Sequence, residues 1–442
     1  MKSIITWNFS FVMTFFSALC IIEDMSEIVT AEKMVAGGDC IGSLNGKKVF
    51  IPYAIPGEKL EVEIINDARD YCNSKIINVI EPSEKRVMPF CPLYTTCGGC
   101  NMQHIESSYQ RELRSQILRD AFEHEGIEVG SIEIIAGADK GYRSRFQFHD
   151  GGLMGKRSND IIHLEMCPCA TEEINHYLKE VPFEQRPEGR IHVFGAKHIS
   201  NVPDGYDKIL IAENTDSDRR VKNNFRKQQK TSPGGRKLKK QKQIKARYGG
   251  TTLNEATLCQ VELLGKKLNF DIQGFFQSNL EVLEKSIPLV TGGLEGKNVL
   301  DMYSGCGTFS VFLADKFEKV TMVEHNKSAI VFAEQNMVGT KHESFGLSGA
   351  VWTKYHAENV IKQGGEFDAV IIDPPRSGME KEVCQWLQKS GIPHIRSVSC
   401  DIATHARDIK FLIRAGYRLE KLYLLDFYPQ TGHIESLAIL EK

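Results

Sequence analysis

Cysteine is the residue to start from, because the chain carries twelve and they are unevenly placed. One stands in Ser399-Cys400-Asp401, directly after an apolar run, and a carboxylate follows in Pro429-Gln-Thr-Gly-His-Ile-Glu435. A thiolate is a strong nucleophile, and a carboxylate held at the same crevice can accept a proton. Together they suit methylation of a carbon that resists it. C5 of uracil is a poor nucleophile, but a thiolate added at C6 turns it into an enolate-like carbon able to attack a methyl sulfonium. The C5 proton must then leave before the thiolate is expelled, which is work for a positioned Glu. Both faces of the ring have to be reached, so the base must be flipped out of a helix or presented by an open loop. A lone cysteine is more often a packing residue; the company of Glu435 is what points to catalysis.

A second group reads Cys91-Pro-Leu-Tyr-Thr-Thr-Cys97-Gly-Gly-Cys100, with Cys167 much later in Glu-Met-Cys-Pro-Cys. Three close thiolates and a distant fourth can hold tetrahedral zinc or a [4Fe-4S] cluster. Spacing alone leaves both metals open, and Cys169 competes with Cys167 for the fourth place. Five residues separate Cys91 from Cys97, unlike the CxxxCxxC of radical enzymes. Grouped thiols of this kind, with the rest scattered singly, fit a reducing cytoplasm better than a disulfide framework.

These residues need a scaffold. From Gly274 onward, strands alternate with helices, which predicts a doubly wound parallel sheet. The expected strands are KNVLDMY, KVTMVEH, AVWTKYH, FDAVIID and HIRSVSC. An antiparallel hairpin, RLEKLYLLDFYP and ESLAILEK, closes the sheet and separates it from an ordinary dinucleotide fold. Asp301-Met-Tyr-Ser-Gly-Cys-Gly-Thr308 follows the first strand, and Gly305 and Gly307 let the backbone approach a ligand at the carboxyl edge. Ser310 takes the place of the third glycine of GxGxxG, which argues against a nicotinamide oxidoreductase. Glu324 ends the second strand, where a carboxylate can accept both hydroxyls of a ribose. Asp373-Pro-Pro-Arg376 ends the fourth, and its two prolines stiffen the exit and aim Asp373 at the crevice.

A chain of 442 residues exceeds one hydrophobic core, so two or three domains are expected. Residues 25–85 alternate short apolar runs with Gly-rich turns, among them Pro56-Gly-Glu58, and predict a small OB-like barrel able to bind RNA. Residues 86–270 hold the cysteines, a helix within QHIESSYQRELRSQILRDAFEHEG, and Arg143 and Arg145. Two residues apart, these arginines share one face of a strand and can grip phosphate or pair with surface carboxylates. Residues 271–442 form the parallel-sheet domain. Net charge is only -2, yet thirteen Lys or Arg and no Asp or Glu lie between Arg219 and Arg247, inside an insertion spanning 214–248. A basic arm on an acidic body fits phosphate contacts that position RNA without reading sequence. Residues 1–24 look like a signal peptide, but export would part the chain from RNA and a nucleotide-derived donor, so translation is expected to begin at Met25. With 25% charged and 41% hydrophobic residues, the composition belongs to neither a disordered nor a membrane-embedded protein.

Taken together, PGE, CPxxxxCGGC, YRSR, Gly274-Phe-Phe-Gln-Ser-Asn279, DMYSGCGT, DPPR, SCD with Arg407-Asp408, and PQTGHIE resemble the RNA uracil-C5 methyltransferase family, in its branch acting on 23S rRNA. The resemblance runs from about Ile28 to Lys442, leaving aside the basic insertion. It implies a class I, Rossmann-like α/β methyltransferase domain whose parallel sheet ends in an antiparallel hairpin, preceded by a TRAM barrel and a central iron-sulfur and RNA-binding domain. It implies that Gln277, Tyr303, Thr308, Glu324 and Asp373 line the S-adenosylmethionine site, with Cys400 as nucleophile and Glu435 as proton acceptor. It also implies that Cys91, Cys97, Cys100 and Cys167 bind [4Fe-4S], favouring iron over zinc. The expected partner is 23S rRNA, with tRNA as the alternative, for a cytoplasmic monomer with no membrane contact. Three departures stand out. SCDI replaces the usual SCNP, so Asp401 is expected to raise the thiol pKa of Cys400. Ser304 replaces a frequent Cys, and His356 stands after the third strand where Asp or Asn more often contacts adenine. A non-catalytic RNA-binding or ribosome-assembly factor is the rival reading, with Asp401 as its best support.

Overall fold

Short apolar runs broken by glycine turns cannot propagate helices, and the first part of the chain folds into strands. The computed structural model describes residues 26–203, 205–214, 245–248, 251–253 and 257–442. The start at Met25 and most of the basic insertion therefore lie outside the described residues. Strands β1 (Ser26–Thr30), β2 (Lys33–Met34), β3 (Cys40–Leu44), β4 (Lys47–Ile51), β5 (Lys59–Asp67) and β6 (Tyr71–Glu81) form one sheet in the order β1-β5-β6-β4-β3-β2. Leu60 and Val62 turn inward between outward Lys59, Glu61 and Glu63, the period of two that a half-buried strand requires. The sheet curls onto itself at Gly42, where a Cβ would stand 2.6 Å from both Thr30 O and Val29 Cγ1. The PGE corner is pinned by Glu58, which accepts from Ile55 N, Ser83 N and the Arg86 guanidinium.

Helix α1 (Ser107–His124) buries Leu113, Ile117, Leu118 and Phe122 on one stripe and is followed by β7 (Ile132–Ile135). A second, antiparallel sheet runs β14 (Thr251–Leu253), β13 (Lys245–Tyr248), β12 (Ile209–Asn214), β11 (Arg190–Gly195), β8 (Arg145–His149). Beside it lie the short pair β9 (Leu153–Met154) and β10 (Ile161–Ile162), helix α2 (Glu172–Glu180), and the hairpin β15 (Leu258–Leu263) and β16 (Lys266–Asp271).

The terminal domain alternates as expected: α3 (Leu280–Thr291), β17 (Gly296–Met302), α4 (Ser310–Leu313), β18 (Phe317–Val323), α5 (Lys327–Asn336), β19 (His342–Phe345), α6 (Gly349–Tyr355), α7 (Ala357–Gly364), β20 (Ala369–Ile372), α8 (Lys381–Ser390), β21 (His394–Ser399), α9 (Ile402–Arg414), β22 (Arg418–Leu425) and β23 (Glu435–Glu441). Its eight-stranded sheet is ordered β19-β18-β17-β20-β21-β23-β22-β7, and β23 alone runs against the others. The eighth strand comes from outside the domain, since β7 pairs in parallel with β22 while α1 packs on α9. One expected element is corrected. AVWTKYH is not the third strand but helix α6, capped by Ser348 accepting from Val351 N, with Trp352 buried and Val351 and Tyr355 outward. The third strand is the polar edge segment His342–Phe345. His356 consequently sits at the α6–α7 junction, its ring 5.4 Å from that of Phe345, and not at a strand end. Among the described residues no helix is long and apolar enough to cross a membrane.

Candidate active site

Parallel strands deliver their carboxyl ends to one edge, and the turns beyond them build a crevice there. Leaving β17, the chain passes through Tyr303 at φ 66°, then Gly305 at 56° and Gly307 at 81°. A tyrosine held in that region costs about 1–3 kcal/mol. It is fixed in place by its backbone N–H on Val323 O and by its hydroxyl, which donates to Glu380 Oε2 at 2.6 Å. Gly307 faces helix α5, where a Cβ would lie 3.3 Å from that of Ala333. At the end of β18, Glu324 is aimed by two amides: Gly305 N donates to Oε2 at 3.1 Å and Asn326 N to Oε1 at 2.6 Å. Thr308 lies on the same turn, its hydroxyl 3.5 Å from Cys306 Sγ.

Asp301 accepts from Ser310 Oγ, and burial, then the Asp373 and Glu324 charges, push its pKa up to about 7. Asp373 rises to about 7 through burial and then Glu324. Gln277 Oε1, Ser304 Oγ and Asp301 Oδ1 are buried and without hydrogen-bond partners among the described residues. Buried polar atoms are rarely left unsatisfied, so the cradle fits a ligand rich in polar groups, as S-adenosylmethionine is through its amino acid and ribose.

Cys400 leaves β21 where β23 begins. The register pairs Ser399 with Ser436, so the next residues toward the edge, Cys400 and Glu435, stand across from each other. Glu435 is buried, and Gln277 Nε2 donates to its Oε2 at 3.4 Å. Burial first, then the Asp373 charge, pushes the Glu435 pKa up to about 8, against the pull of Gln277 and Arg376. The Cys400 thiol, at the mouth of the crevice, is raised by lost hydration and then by Glu435 and Asp373, while Arg376 lowers it by charge and a hydrogen bond. Asp401 does not play the part expected of it. Its carboxylate caps α9, accepting from Thr404 N at 2.9 Å, and the carboxylates that act on the thiol are Glu435 and Asp373. DPPR marks the place of Arg376, but only the fold turns its guanidinium to the thiol.

The structure thus gathers Gln277, Asp373, Cys400 and Glu435, with Tyr303, Thr308 and Glu324 on the turns alongside. Cys91, Cys97, Cys100 and Cys167 line a separate cavity of about 540 Å³ together with Cys169 and Arg143. Cys169 Sγ stands 3.8 Å from Cys100 Sγ, and its hydrogen bonds lower the thiol pKa values of Cys100 and Cys167 while its own is driven up. Among the described residues no group of three or more His, Cys, Asp or Glu side chains is arranged to hold a metal ion. Arg143 lies over the Phe146 ring at 5.2 Å, Arg145 donates to Gly274 O, and neither is ion-paired among the described residues.

A parallel sheet whose last strand runs backwards, loaded at its glycine turn with unsatisfied polar groups, is the frame of a class I S-adenosylmethionine-dependent methyltransferase. Residues 108–442 match the family model described as tRNA (Uracil-5-)-methyltransferase, and residues 28–77 match the TRAM domain. The chain belongs to the tRNA (uracil-5-)-methyltransferase family, and is an S-adenosylmethionine-dependent RNA uracil-C5 methyltransferase. An uncharacterized RNA methyltransferase of Treponema denticola is 36% identical, the match covering 94% of this chain and 99% of that one. The 23S rRNA (uracil(1939)-C(5))-methyltransferase RlmD of Edwardsiella ictaluri is 30% identical over 94% and 95% of the two chains. The crystal structure of Pyrococcus abyssi tRNA (uracil-54, C5)-methyltransferase in complex with S-adenosyl-L-homocysteine shares the fold, with a TM-score of 0.65 at 22% identity, over 94% of this chain and 100% of that one.

Proposed function

We propose that this enzyme methylates C5 of a uridine in 23S ribosomal RNA through a covalent bond from Cys400 Sγ to C6, with Glu435 as proton acceptor. The observation that carries the reading is the β21–β23 register, which sets a thiol and a buried carboxylate of raised pKa across one crevice from each other. Arg376 stabilises the thiolate, which adds to C6; C5 then attacks the donor's methyl group, breaking its bond to sulfur. Glu435 takes the proton from C5, and the returning electron pair expels Cys400. Gln277, Tyr303, Thr308, Glu324 and Asp373 hold the donor. Three curated 23S rRNA enzymes at 27–30% identity, each matched over at least 92% of this chain, favour ribosomal over transfer RNA. One chain supplies every group the reaction uses, which supports a monomer, and donor and RNA are both cytoplasmic.

Cys91, Cys97, Cys100 and Cys167 would hold a [4Fe-4S] cluster, with Cys169 beside them. Thiols around one wide cavity suit a cluster, whose irons each take one thiolate; a single zinc needs all four sulfurs within roughly 2.3 Å of one point. Anaerobically purified protein should contain about four irons per chain, whereas one zinc would refute the assignment. The reaction is tested with labelled donor and unmodified ribosomal or transfer RNA fragments, followed by mapping of the product and trapping with 5-fluorouridine RNA. A methylated uridine in 23S fragments and a crosslink on the Cys400 peptide are expected; turnover without a crosslink refutes covalent catalysis.

A further inference from the structure

Glu435 follows a turn, Pro429 to Ile434, that the terminal domain does not hold by itself. Tyr142 donates its hydroxyl to Pro429 O at 2.8 Å, and Arg114 reaches Tyr428 O at 3.3 Å. Gln110 and Gln430, both buried, form a reciprocal pair: Gln110 Nε2 donates to Gln430 Oε1 at 2.9 Å and Gln430 N to Gln110 Oε1 at 3.0 Å. The densest anchor is Asn101, the residue after Cys100. Its backbone N–H and that of Met102 both donate to Gln430 O, at 3.1 and 3.0 Å. Its side chain accepts from Gly432 N at 2.9 Å and donates to Gly37 O of the barrel at 2.6 Å. Gly37 and Gly432 also form a β-bridge, so close that a Cβ on Gly432 would stand 2.3 Å from Gly37 C. One amide thus ties the cysteine loop, the barrel and the turn leading to Glu435.

We infer that Asn101 is a positioning residue for proton removal: by holding Gly432 it fixes the turn that aims Glu435 at C5. The inference rests on the proposed roles of Cys400 and Glu435. Its action falls on the last half of the reaction, after the methyl has moved and before the enzyme lets go, so its loss should leave methylated RNA still bonded to Cys400.

The test uses the full chain, labelled donor and ribosomal RNA from cells lacking the gene. Asn101→Ala should lower kcat at least tenfold, leave S-adenosylhomocysteine affinity within twofold, and raise several-fold the share of labelled methyl on a denaturant-resistant protein–RNA band. Asn101→Asp keeps the acceptor for Gly432 N–H and should recover part of the turnover, which also answers for an Ala variant that fails to fold. Added to Glu435→Gln, Asn101→Ala should change neither turnover nor band further, whereas a general structural role would add its own loss. Wild-type kcat in Asn101→Ala, or a lower kcat with no rise in the labelled band, overturns the inference. Wild-type turnover with no 5-fluorouridine adduct would instead overturn the roles given to Cys400 and Glu435.

Discussion

Among the described residues three glutamates are buried, and two of them, Glu58 in the barrel and Glu435 beside Cys400, are treated in opposite ways. Glu58, with no exposed surface, meets both nitrogens of the Arg86 fork at 2.6 Å and two backbone amides. Burial alone would raise its pKa, but these partners outweigh it and hold the carboxyl below the ordinary range. Glu435 has one long bond from Gln277 and a second carboxylate, Asp373, near it. A charge that is fully satisfied serves stability; one left short of partners is ready to take a proton.

The sharpest way to break this contrast is Glu435→Gln, which should cut turnover by about 10²–10⁴-fold and leave RNA attached to Cys400 on a denaturing gel. In the intact enzyme the rate should climb with pH toward about 8, because the base must be free of its proton. Next comes the barrel. Arg86→Ala strands the Glu58 carboxylate and should cost about 3 kcal/mol in denaturant unfolding. Methylation by the folded fraction should remain.

Stability against pH separates the two more finely. Glu58 stabilises above the ordinary glutamate pKa of 4.5 and loses that contribution as pH falls through its depressed folded value. The raised pKa of Glu435 works the other way: its contribution is intact below 4.5 and is lost as pH rises to about 8. Glu435→Gln should therefore melt a few degrees higher than wild type at pH 8, with the gap closing in acid. The smallest effect belongs to Asp401→Ala, which removes a helix cap worth about 1 kcal/mol and should leave alkylation of Cys400 unchanged. A marked change in thiol reactivity would restore Asp401 as an influence on Cys400.

Most of the sheet was legible because its buried strands are short apolar runs that end in marked residues, as VLDM does before Tyr303 and AVII before Asp373. The third strand was not, for a physical reason. His342–Phe345 lies at the sheet's edge, half-buried throughout, and carries no apolar run, whereas the next segment has the bulky residues of a strand on a helix. That Cys400 and Glu435 meet at one crevice was readable from types and spacing. Asn101 was not, since an asparagine that works through two backbone groups far away in sequence leaves no period or motif. Nor was β7, whose partner is decided at the other end of the chain.

That late partner governs how the molecule comes into being. Ile132 leaves the ribosome early, yet must wait for Leu422 before it has a neighbour to bond, and Gly37 must wait for Gly432. Neither the barrel's seat nor the sheet's last edge can be finished before residues 422–432 have been made. A nascent chain stalled before that point would expose an unpaired strand, an invitation to chaperones or to aggregation.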